Sequence, residues 1–304
     1  MPDLRPPRLR TQSSYARKFQ DPRFWQPYVD EVLRRHDLPP HIATLGTGGS
    51  FPTFLVGAYV VKFFGQQFEG VVCSTIERTL HTGILPRLQF ATSSYVGHGT
   101  LFQTGWPWPY MVTRRLEGTA WRQMREPPDD WRVVVASELG TAVRQIHAVE
   151  CPDEPVWKRD VVGALRANCT ERQRRLQMLP SILVDQIDEY LAPASTQRVL
   201  VHADLHGDHI FVRDGHLAGV IDWGDALCGD PYYDLPALFF GTFGGCKALL
   251  RQFLDSYGWP VGPDFARRAL TMTLVHEFNP LGNARHLIPF VATLRELADS
   301  LWGL

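Results

Sequence analysis

The densest chemistry in the sequence lies in residues 199–235, where histidines and carboxylates are crowded between short apolar runs. Residues 199–201, 210–212 and 217–221 have the composition of short buried strands. The loop between the first two strands contains five candidate ligands: His202, Asp204, His206, Asp208 and His209. The whole segment holds seven Asp residues against one Arg, so we expect a divalent metal or a cationic ligand to balance the repulsion.

Three positions in this segment follow the spacing of a kinase catalytic loop. Asp204 stands on the loop, His209 follows five positions later, and Asp222 comes directly after the third strand. In that arrangement the first Asp accepts the proton of the acceptor hydroxyl, and the other two residues hold metal ions. The spacing therefore predicts Asp204 as the catalytic residue and His209 and Asp222 as metal ligands.

A second set of residues, far upstream, has the character of a nucleotide site. A glycine-rich turn contributes four positions whose backbone N–H groups can approach phosphates: Gly46, Gly48, Gly49 and Ser50. Lys62 ends the next apolar strand, where a charge indicates a phosphate contact, although an edge-strand Lys facing water is the alternative. A kinase Lys needs a helix carboxylate to orient it, and Glu77 is the better candidate, with Glu69 second.

Met111 and Thr113 lie on an apolar strand that leads into a polar connector ending at Gly118. Their place in the chain order predicts a hinge at residues 112–116 whose backbone reads the purine edge. An ordinary edge strand would look the same in sequence.

The predicted elements indicate an α+β fold with two lobes, because a β-rich beginning is followed by a mostly helical remainder. We expect residues 1–113 to form an N-terminal helix and a nucleotide-binding lobe, and residues 114–304 to form a helical lobe with the catalytic loop and the acceptor site. The helices are predicted over residues 21–38, 129–147, 160–178, 181–192, 232–243, 246–257, 264–278 and 285–302.

Composition excludes several classes of protein. A net charge of −1 without a Lys/Arg run argues against nucleic-acid binding. The sequence shows neither a signal peptide nor a membrane span, so we expect a soluble, cytoplasmic chain, and nothing implies a protein partner. The five cysteines are an odd number without C-x-x-C spacing, which favours reduced thiols.

The catalytic segment resembles that of aminoglycoside phosphotransferases and related small-molecule kinases, which have a protein-kinase-like fold. The resemblance includes Gly229-Asp230-Pro231-x-x-Asp234-Leu235 after the metal Asp. The chain looks particularly like actinomycete-type hygromycin B phosphotransferases in six further motifs: Ser13-Ser14-Tyr15-Ala16, Phe24-Trp25-x-Pro27, Lys62-x-Phe64-Gly65, Trp106-Pro107-Trp108-Pro109-Tyr110, Gly118-Thr119-x-Trp121-Arg122 and Leu301-Trp302-Gly303.

This resemblance implies transfer of the γ-phosphoryl group of ATP, or sometimes GTP, to an aminoglycoside hydroxyl with the help of magnesium. It implies that Asp234 supports the catalytic loop. We expect His202 to be structural as well, packing under the loop. Kinases of choline-like, homoserine-like or sugar-like alcohols are also similar to this chain, and they remain alternatives.

The chain departs from the family pattern at position 209, where the family has Asn and this sequence has His. Magnesium prefers oxygen ligands and imidazole suits softer metals, so His209 should weaken a magnesium site or favour manganese. Three hypotheses remain open: His209 binds the metal, Asp208 replaces it, or the chain is a nucleotide-binding pseudokinase. A metal-dependent hydrolase using His202, Asp204, His206 and His209 is a fourth, but it leaves Lys62 and the glycine-rich turn unexplained.

Three carboxylates outside the loop are candidates for binding a cationic small-molecule acceptor. Asp225 and Asp230 follow the metal Asp, and Glu277 lies on a late predicted helix. They could receive the ammonium groups of an aminocyclitol, while helix capping or solvation explains each of them equally well.

Overall fold

The computed structural model describes residues 4–7, 9, 11–46 and 49–304 of the chain. The chain divides into two compact units. Unit 1 comprises Met1–Arg87 and Thr92–Glu117, and unit 2 comprises Leu88–Ala91 and Gly118–Leu304. The largest sheet lies in unit 1 and most of the helices lie in unit 2, so the predicted α+β class is confirmed.

Unit 1 is organised around one antiparallel sheet. Its elements are α1 (Gln12–Lys18), α2 (Pro22–Arg35), β1 (Thr44–Leu45), β2 (Thr53–Val56), β3 (Tyr59–Phe63), α3 (Gly70–Thr79), β4 (Tyr95–Thr100) and β5 (Pro109–Arg114). The strand order is β1-β2-β3-β5-β4, which places β3 in the middle of the sheet. A residue on β3 is therefore held from both sides by backbone pairing.

Helix α2 begins where the sequence predicts, because Asp21 caps it by accepting a hydrogen bond from the backbone N–H of Phe24 at 3.3 Å. Its buried face carries Trp25, whose ring stacks on Phe63 of β3 at 4.8 Å and meets Trp108 at 5.0 Å. Each aromatic pair at such a separation stabilises the fold by about 1 kcal/mol beyond the contribution of the apolar area that it buries. The contacts fasten the helix to the strand that carries Lys62.

Unit 2 combines two small sheets with helices. Its elements are β6 (Thr119–Ala120), α4 (Asp129–His147), α5 (Val161–Ala167), α6 (Cys169–Leu176), α7 (Ser181–Val184), α8 (Ile187–Tyr190), β7 (Val199–Val201), β8 (Ile210–Arg213), β9 (His216–Val220), β10 (Leu227–Gly229), α9 (Lys247–Tyr257), α10 (Phe265–Val275) and α11 (Leu294–Trp302). Strand β7 pairs with β10, and β8 lies between β6 and β9. The three strands predicted around the catalytic loop are therefore present as β7, β8 and β9.

The last predicted helix is wrong in its first half. Residues 285–302 were expected to be helical, but α11 begins only at Leu294, after a capping box in which Thr293 and Glu296 bond to each other's backbone N–H groups. Pro289 explains the difference, since it lacks an N–H and disfavours helical geometry at the preceding residue, and Ile288 is extended.

Three other helix predictions have wrong boundaries. The helix expected over 160–178 is divided into α5 and α6 at Asn168, and the one over 181–192 is divided into α7 and α8. Residues 232–243 form a 3-10 turn at Pro231–Asp234 and a π-helical turn at Ala237–Thr242. Helical periodicity alone does not show where short turns interrupt a helix.

The prediction of five reduced thiols is also wrong. Cys151, just after α4, and Cys228, on β10, form a disulfide with a Cα–Cα distance of 6.1 Å. They are 77 residues apart in sequence, so only the fold brings them together. The cysteines outside this disulfide are Cys73, Cys169 and Cys246.

Across the described residues, none of the helices combines the length and apolar character that a membrane span requires.

Candidate active site

Unit 1 brings Lys62 and Glu77 together in an ion pair between Nζ and Oε1. Central strand β3 holds the lysine, and the buried face of α3 holds the glutamate, whose side chain is only 3% exposed. The rings of Phe51 and Phe64 lie 5.5 and 5.2 Å from Nζ, so the cation also faces aromatic surface. Glu69, the second candidate partner, is exposed at the start of α3.

The glycine-rich turn precedes β2 in the same unit. Gly46 donates its N–H to the carbonyl of Thr53 at 2.9 Å, and a Cβ at position 46 would lie 2.9 Å from that oxygen. The tight approach therefore requires glycine. Gly49 and Ser50 are exposed, and the Tyr15 hydroxyl donates to the Ser50 carbonyl at 2.6 Å, which anchors the turn to α1. Gly48 lies outside the described residues.

The two residues predicted at the hinge strand lie on β5. Met111 is paired directly with Lys62, and Thr113 is paired with Val60. Both side chains are buried, and Met111 packs with Phe51 and Phe64. Met111 thus lies next to Lys62 in the sheet, and the purine contact by this strand remains a prediction.

The predicted catalytic loop of unit 2 is anchored by the carboxylate of Asp234. Its Oδ1 accepts the backbone N–H of Ala203 at 2.7 Å, and its Oδ2 accepts that of His202 at 3.1 Å and Nε2 of His147 at 3.0 Å. Burial favours the neutral acid, but the hydrogen bond and charge of His147, the charge of His202 and the Ala203 N–H outweigh it and lower the pKa of Asp234. A buried carboxylate that remains ionised is a strong acceptor for all three donors.

Sequence reasoning missed His147, which it left without a role. The residue ends α4 on the buried face, with Nδ1 3.0 Å from the hydroxyl of Tyr257 and Nε2 on Asp234. The helical spacing of α4 placed His147 on the face that becomes buried, but nothing in that spacing identified its partner, 87 residues later.

His202 lies beneath the predicted catalytic loop, and its structural role there remains a prediction. Its side chain is fully buried, its Nε2 donates to the carbonyl of Ile221 at 3.0 Å, and its Nδ1 accepts the N–H of Asp204 at 3.2 Å. The ring also packs on Trp223 at 4.5 Å. His202 therefore links the loop to the stretch that precedes Asp222.

Asp204 lies between two histidines of its own loop. Its Oδ2 is 3.4 Å from Nε2 of His206 and 3.5 Å from Nδ1 of His209. Burial opposes ionisation, but the hydrogen bond from His206 and the charges of His209, His206 and His202 outweigh it and lower the pKa of Asp204. The carboxylate is thus ionised at neutral pH and partly exposed, so that it can accept a hydrogen bond from a substrate.

His209 and Asp222 face each other, with 3.4 Å between Nε2 and Oδ2. The other ring nitrogen of His209, Nδ1, donates to the carbonyl of Asp204 at 2.9 Å. When His209 binds a metal as a neutral ring, a proton on Nδ1 leaves the lone pair on Nε2, directed at Asp222. A nitrogen and a carboxylate oxygen in this arrangement fit a divalent metal, and the nitrogen makes the pair better suited to manganese than an oxygen pair would be.

Asp208, the alternative ligand, is already engaged. Its Oδ2 lies 2.9 Å from Nε of Arg122 and 3.4 Å from Nδ1 of His206. The guanidinium neutralises the carboxylate, which favours His209 over Asp208 as the ligand beside Asp222.

The candidate acceptor carboxylates have different environments. Asp230 is buried, caps the turn that follows by accepting the N–H of Tyr232 at 3.0 Å, and lies 3.5 Å from Arg268, contacts that favour a structural role. Glu277 is exposed and Asp225 is half-buried. Burial raises the pKa of the Tyr233 hydroxyl, and the charges of Glu277 and Asp225 raise it further.

Residues 41–270 match the model of the phosphotransferase enzyme family. Among curated proteins, a stretch of 208 residues is 24% identical to lysine-specific demethylase JMJ21 of Arabidopsis thaliana and covers 51% of this chain and 22% of that protein. A stretch of 43 residues is 40% identical to hygromycin-B 4-O-kinase of Escherichia coli and covers 14% of this chain and 13% of the kinase. The matches therefore span less than a quarter of either curated relative.

Solved structures are similar over nearly the whole chain. The GDP and kanamycin complex of APH(2″)-IIia superposes with a TM-score of 0.67 at 20% identity, covering 85% of this chain and 90% of that one. The apoenzyme of macrolide 2′-phosphotransferase MphH from Brachybacterium faecium gives a TM-score of 0.59 at 21% identity, covering 92% and 98%. The predicted kinase-like fold is thereby confirmed.

Proposed function

The chain belongs to the phosphotransferase enzyme family, a family of small-molecule kinases, and from that premise we propose that it transfers the γ-phosphoryl group of ATP to a hydroxyl of an aminoglycoside. Hygromycin B and compounds like it are the first candidates. The observation that carries this proposal is the loop that Asp234 anchors. This loop places an ionised Asp204 close to His209, and His209 in turn lies opposite Asp222.

Asp204 acts as the proton acceptor. Its lowered pKa keeps the carboxylate ionised, so it orients the acceptor hydroxyl by accepting a hydrogen bond and takes the proton as the new P–O bond forms. A weakly basic carboxylate suits this role because the proton leaves late in phosphoryl transfer. Most of the rate enhancement comes from alignment and charge neutralisation.

His209 and Asp222 are the residues that would hold a divalent metal, magnesium or manganese. When bound, such an ion neutralises charge on the β- and γ-phosphates. His209 contributes through Nε2, because the carbonyl of Asp204 holds the proton on Nδ1. Asp222 contributes a carboxylate oxygen, and His202 fixes the preceding residue through its bond to the Ile221 carbonyl.

Unit 1 supplies the groups that bind the nucleotide. Lys62, oriented by Glu77, contacts the α/β side of the triphosphate, and the turn containing Gly46, Gly49 and Ser50 covers it, with Gly48 assigned to the same role from sequence. We assign the purine contact to the strand of Met111 and Thr113. ATP is the first candidate, and the GDP complex of the structural neighbour supports GTP as an alternative.

We assign acceptor binding to Asp225 and Glu277, whose negative charges suit the ammonium groups of an aminoglycoside. The kanamycin in the neighbouring structure and the 40% identity to the hygromycin kinase over 43 residues support this class. The resemblance to a macrolide phosphotransferase supports a second candidate, a kinase of another antibiotic or small alcohol.

A panel of acceptors tests the proposal through release of ADP in a coupled assay. The panel contains hygromycin B, kanamycin, a macrolide, choline and homoserine. Turnover with an aminoglycoside is expected, and turnover only with another alcohol would move the chain to the second candidate. Nucleotide binding without turnover of any acceptor would identify a pseudokinase.

Asp204→Asn is the matching prediction for the catalytic residue. The amide cannot accept the proton, so kcat should fall at least about 1000-fold while thermal stabilisation by nucleotide and magnesium is retained. His216→Gln is the control, because His216 is an exposed histidine on β9 that contacts Glu138. Activity retained in Asp204→Asn would remove Asp204 from its assigned role.

A further inference from the structure

His206 is a loop residue that the phosphoryl-transfer scheme does not use. Its ring packs against that of His209 with 3.9 Å between centroids, and its side chain is about one quarter exposed. Asp204, His206 and His209 each offer one ligand atom, and these three atoms lie within 4.8 Å of one another. Two imidazoles and a carboxylate form the ligand set of catalytic zinc sites.

The distances also suit a tetrahedral ion. Zinc binds nitrogen and oxygen at about 2.0 to 2.2 Å, so two ligands of a tetrahedral site are separated by roughly 3.4 Å. Oδ2 of Asp204 lies 3.4 Å from Nε2 of His206 and 3.5 Å from Nδ1 of His209. Two of the three ligand separations therefore match this value already. Binding of the cation to Nδ1 of His209 would replace the hydrogen bond that this nitrogen donates to the carbonyl of Asp204, and a fourth position would remain for water.

His206 has the outer partners of a metal ligand. Its Nδ1 lies 3.4 Å from Oδ2 of Asp208, and Arg122 holds that carboxylate from the other side at 2.9 Å. Nδ1 accepts the backbone N–H of Asp208 at 3.2 Å, and Arg122 donates its own N–H to the carbonyl of Gly207 at 3.0 Å. When Nε2 binds a metal, the proton lies on Nδ1, and this nitrogen would exchange the bond from the Asp208 N–H for one donated to the Asp208 carboxylate, which fixes the ring.

We propose that Asp204, His206 and His209 form a binding site for a zinc-class divalent cation, which shares His209 with the pair of His209 and Asp222. A neutral imidazole has one lone pair, so His209 cannot serve both sites. A cation on Nδ1 puts the proton on Nε2, facing Asp222, and removes that nitrogen from the second site. Zinc-class binding and binding at the second site therefore exclude each other.

The consequence for turnover rests on the proposed function. A cation bound to Oδ2 of Asp204 occupies the oxygen that would accept the hydroxyl proton, and it displaces the metal ligand His209. Zinc should therefore inhibit the kinase reaction. The binding site itself does not depend on that reaction.

Cobalt is the probe, because tetrahedral Co²⁺ with nitrogen ligands absorbs visible light strongly whereas octahedral Co²⁺ absorbs weakly. Titration of the full chain with Co²⁺ is expected to give the intense tetrahedral bands. His206→Gln should weaken Co²⁺ binding at least about 10-fold, and Asp208→Asn should weaken it by about 10-fold or more through loss of the outer partner. His216→Gln is the matched control, since it also removes a histidine that contacts a carboxylate, at 2.7 Å, and it should bind Co²⁺ like the parent.

Unchanged Co²⁺ affinity in His206→Gln, or only weak octahedral absorption in the parent, would overturn the proposal. If His206→Gln does not fold, as judged by its thermal transition, imidazole ¹⁵N resonances of the parent decide instead. Zinc at a concentration that half-saturates the parent should then shift the resonances of two histidines, and it should shift them much less in Asp208→Asn. Shifts of other histidines would contradict the site.

Turnover assays separate this proposal from the proposed function. Zinc should inhibit the parent at a concentration at least about 10-fold below the one that inhibits His206→Gln, if the variant retains activity. Tetrahedral Co²⁺ binding in a chain without turnover would leave the site intact and refute the kinase. Turnover without tetrahedral Co²⁺ binding would support the kinase and refute the zinc-class site.

Discussion

Ala203 and Asp222 both have left-handed backbone conformations, with φ values of 68° and 64°, although neither is glycine. Such a conformation costs an L-residue about 1 kcal/mol or more. At Ala203 the hydrogen bond of 2.7 Å to Asp234 offsets the strain. Ala203 lies in the proposed catalytic loop and Asp222 in the proposed metal-binding pair, and functional sites are where such backbone strain is typically found.

We predict that substitution of His147 lowers the stability of the folded protein. His147→Leu leaves Oδ2 of Asp234 without one of its two donors in a buried setting, and we expect a loss of about 3 kcal/mol in the free energy of unfolding. Tyr257→Phe removes only the contact with Nδ1 and should cost about 1 kcal/mol. Urea denaturation of both variants measures the difference, and equal losses would show that Asp234 does not depend on His147.

At His209 we predict a change in metal preference. His209→Asn replaces imidazole with an amide oxygen, so magnesium-dependent turnover should be preserved or improved, and the advantage of manganese should decrease. Rates at saturating nucleotide with each metal give the ratio. A loss of turnover with both metals would mean that the imidazole has a function other than metal binding.

At the scale of elements, the disulfide between Cys151 and Cys228 joins the segment after α4 to β10. Strand β10 pairs with β7, which leads directly into the catalytic loop. The crosslink therefore restrains the sheet from which the loop emerges.

We predict that reduction of this disulfide lowers the free energy of unfolding by about 2 to 4 kcal/mol, because the unfolded chain regains freedom. Comparison of denaturation with and without dithiothreitol gives the value, and Cys246→Ser, which removes a free thiol, should show the same difference as the parent. Alkylation of the unfolded, unreduced chain should label three of the five cysteines. Labelling of all five would show that the bond does not form.

For the whole molecule, acid stability depends on carboxylates whose pKa is lowered by folding. Glu31 on α2 contacts Arg34 at 2.9 Å and Arg35 at 2.7 Å, and the hydrogen bond from Arg34, with that from Arg35 and both charges, lowers the pKa of Glu31 to about 2 against the opposing effect of burial. A lowered pKa in the folded state means that the contribution is complete above the ordinary value of 4.5 and is lost as the pH falls toward 2.

We therefore predict that Glu31→Gln loses about 1 kcal/mol of stability at pH 7 and that the gap to the parent closes between pH 5 and about pH 2. The estimate is small because Arg34 is more than half exposed and solvent screens the pair. Glu171→Gln is the matched control, since Glu171 has the same spacing to Arg174 and Arg175, at 3.8 and 3.7 Å, but is 62% exposed. An equal loss of stability in both variants would show that the ion pairs of Glu31 contribute no more than those of the exposed Glu171.

Sequence could predict those parts of the molecule that depend on neighbouring residues. The strands around the catalytic loop follow from short apolar runs, and the facing of Lys62 and Glu77 follows from a kinase-like order of elements. The absence of helix before Leu294 could also have been predicted from Pro289, since proline breaks a helix. The support of the loop by Asp234 was implied only by the family resemblance. The contact of Asp234 with His147 and the pairing of Cys151 with Cys228 could not be predicted, because distant segments supply the partners and no local pattern encodes such contacts.

Asp234 also bears on how the molecule assembles. Its three donors lie 87, 32 and 31 residues away in the chain. Contacts over such separations form only after the intervening segments have come together, so the loop carrying Asp204 should acquire its arrangement late in refolding. A chain that has regained its helices but not the hydrogen bonds of Asp234 would be inactive. Recovery of turnover, rather than recovery of the helical signal, would therefore show that the native protein has formed.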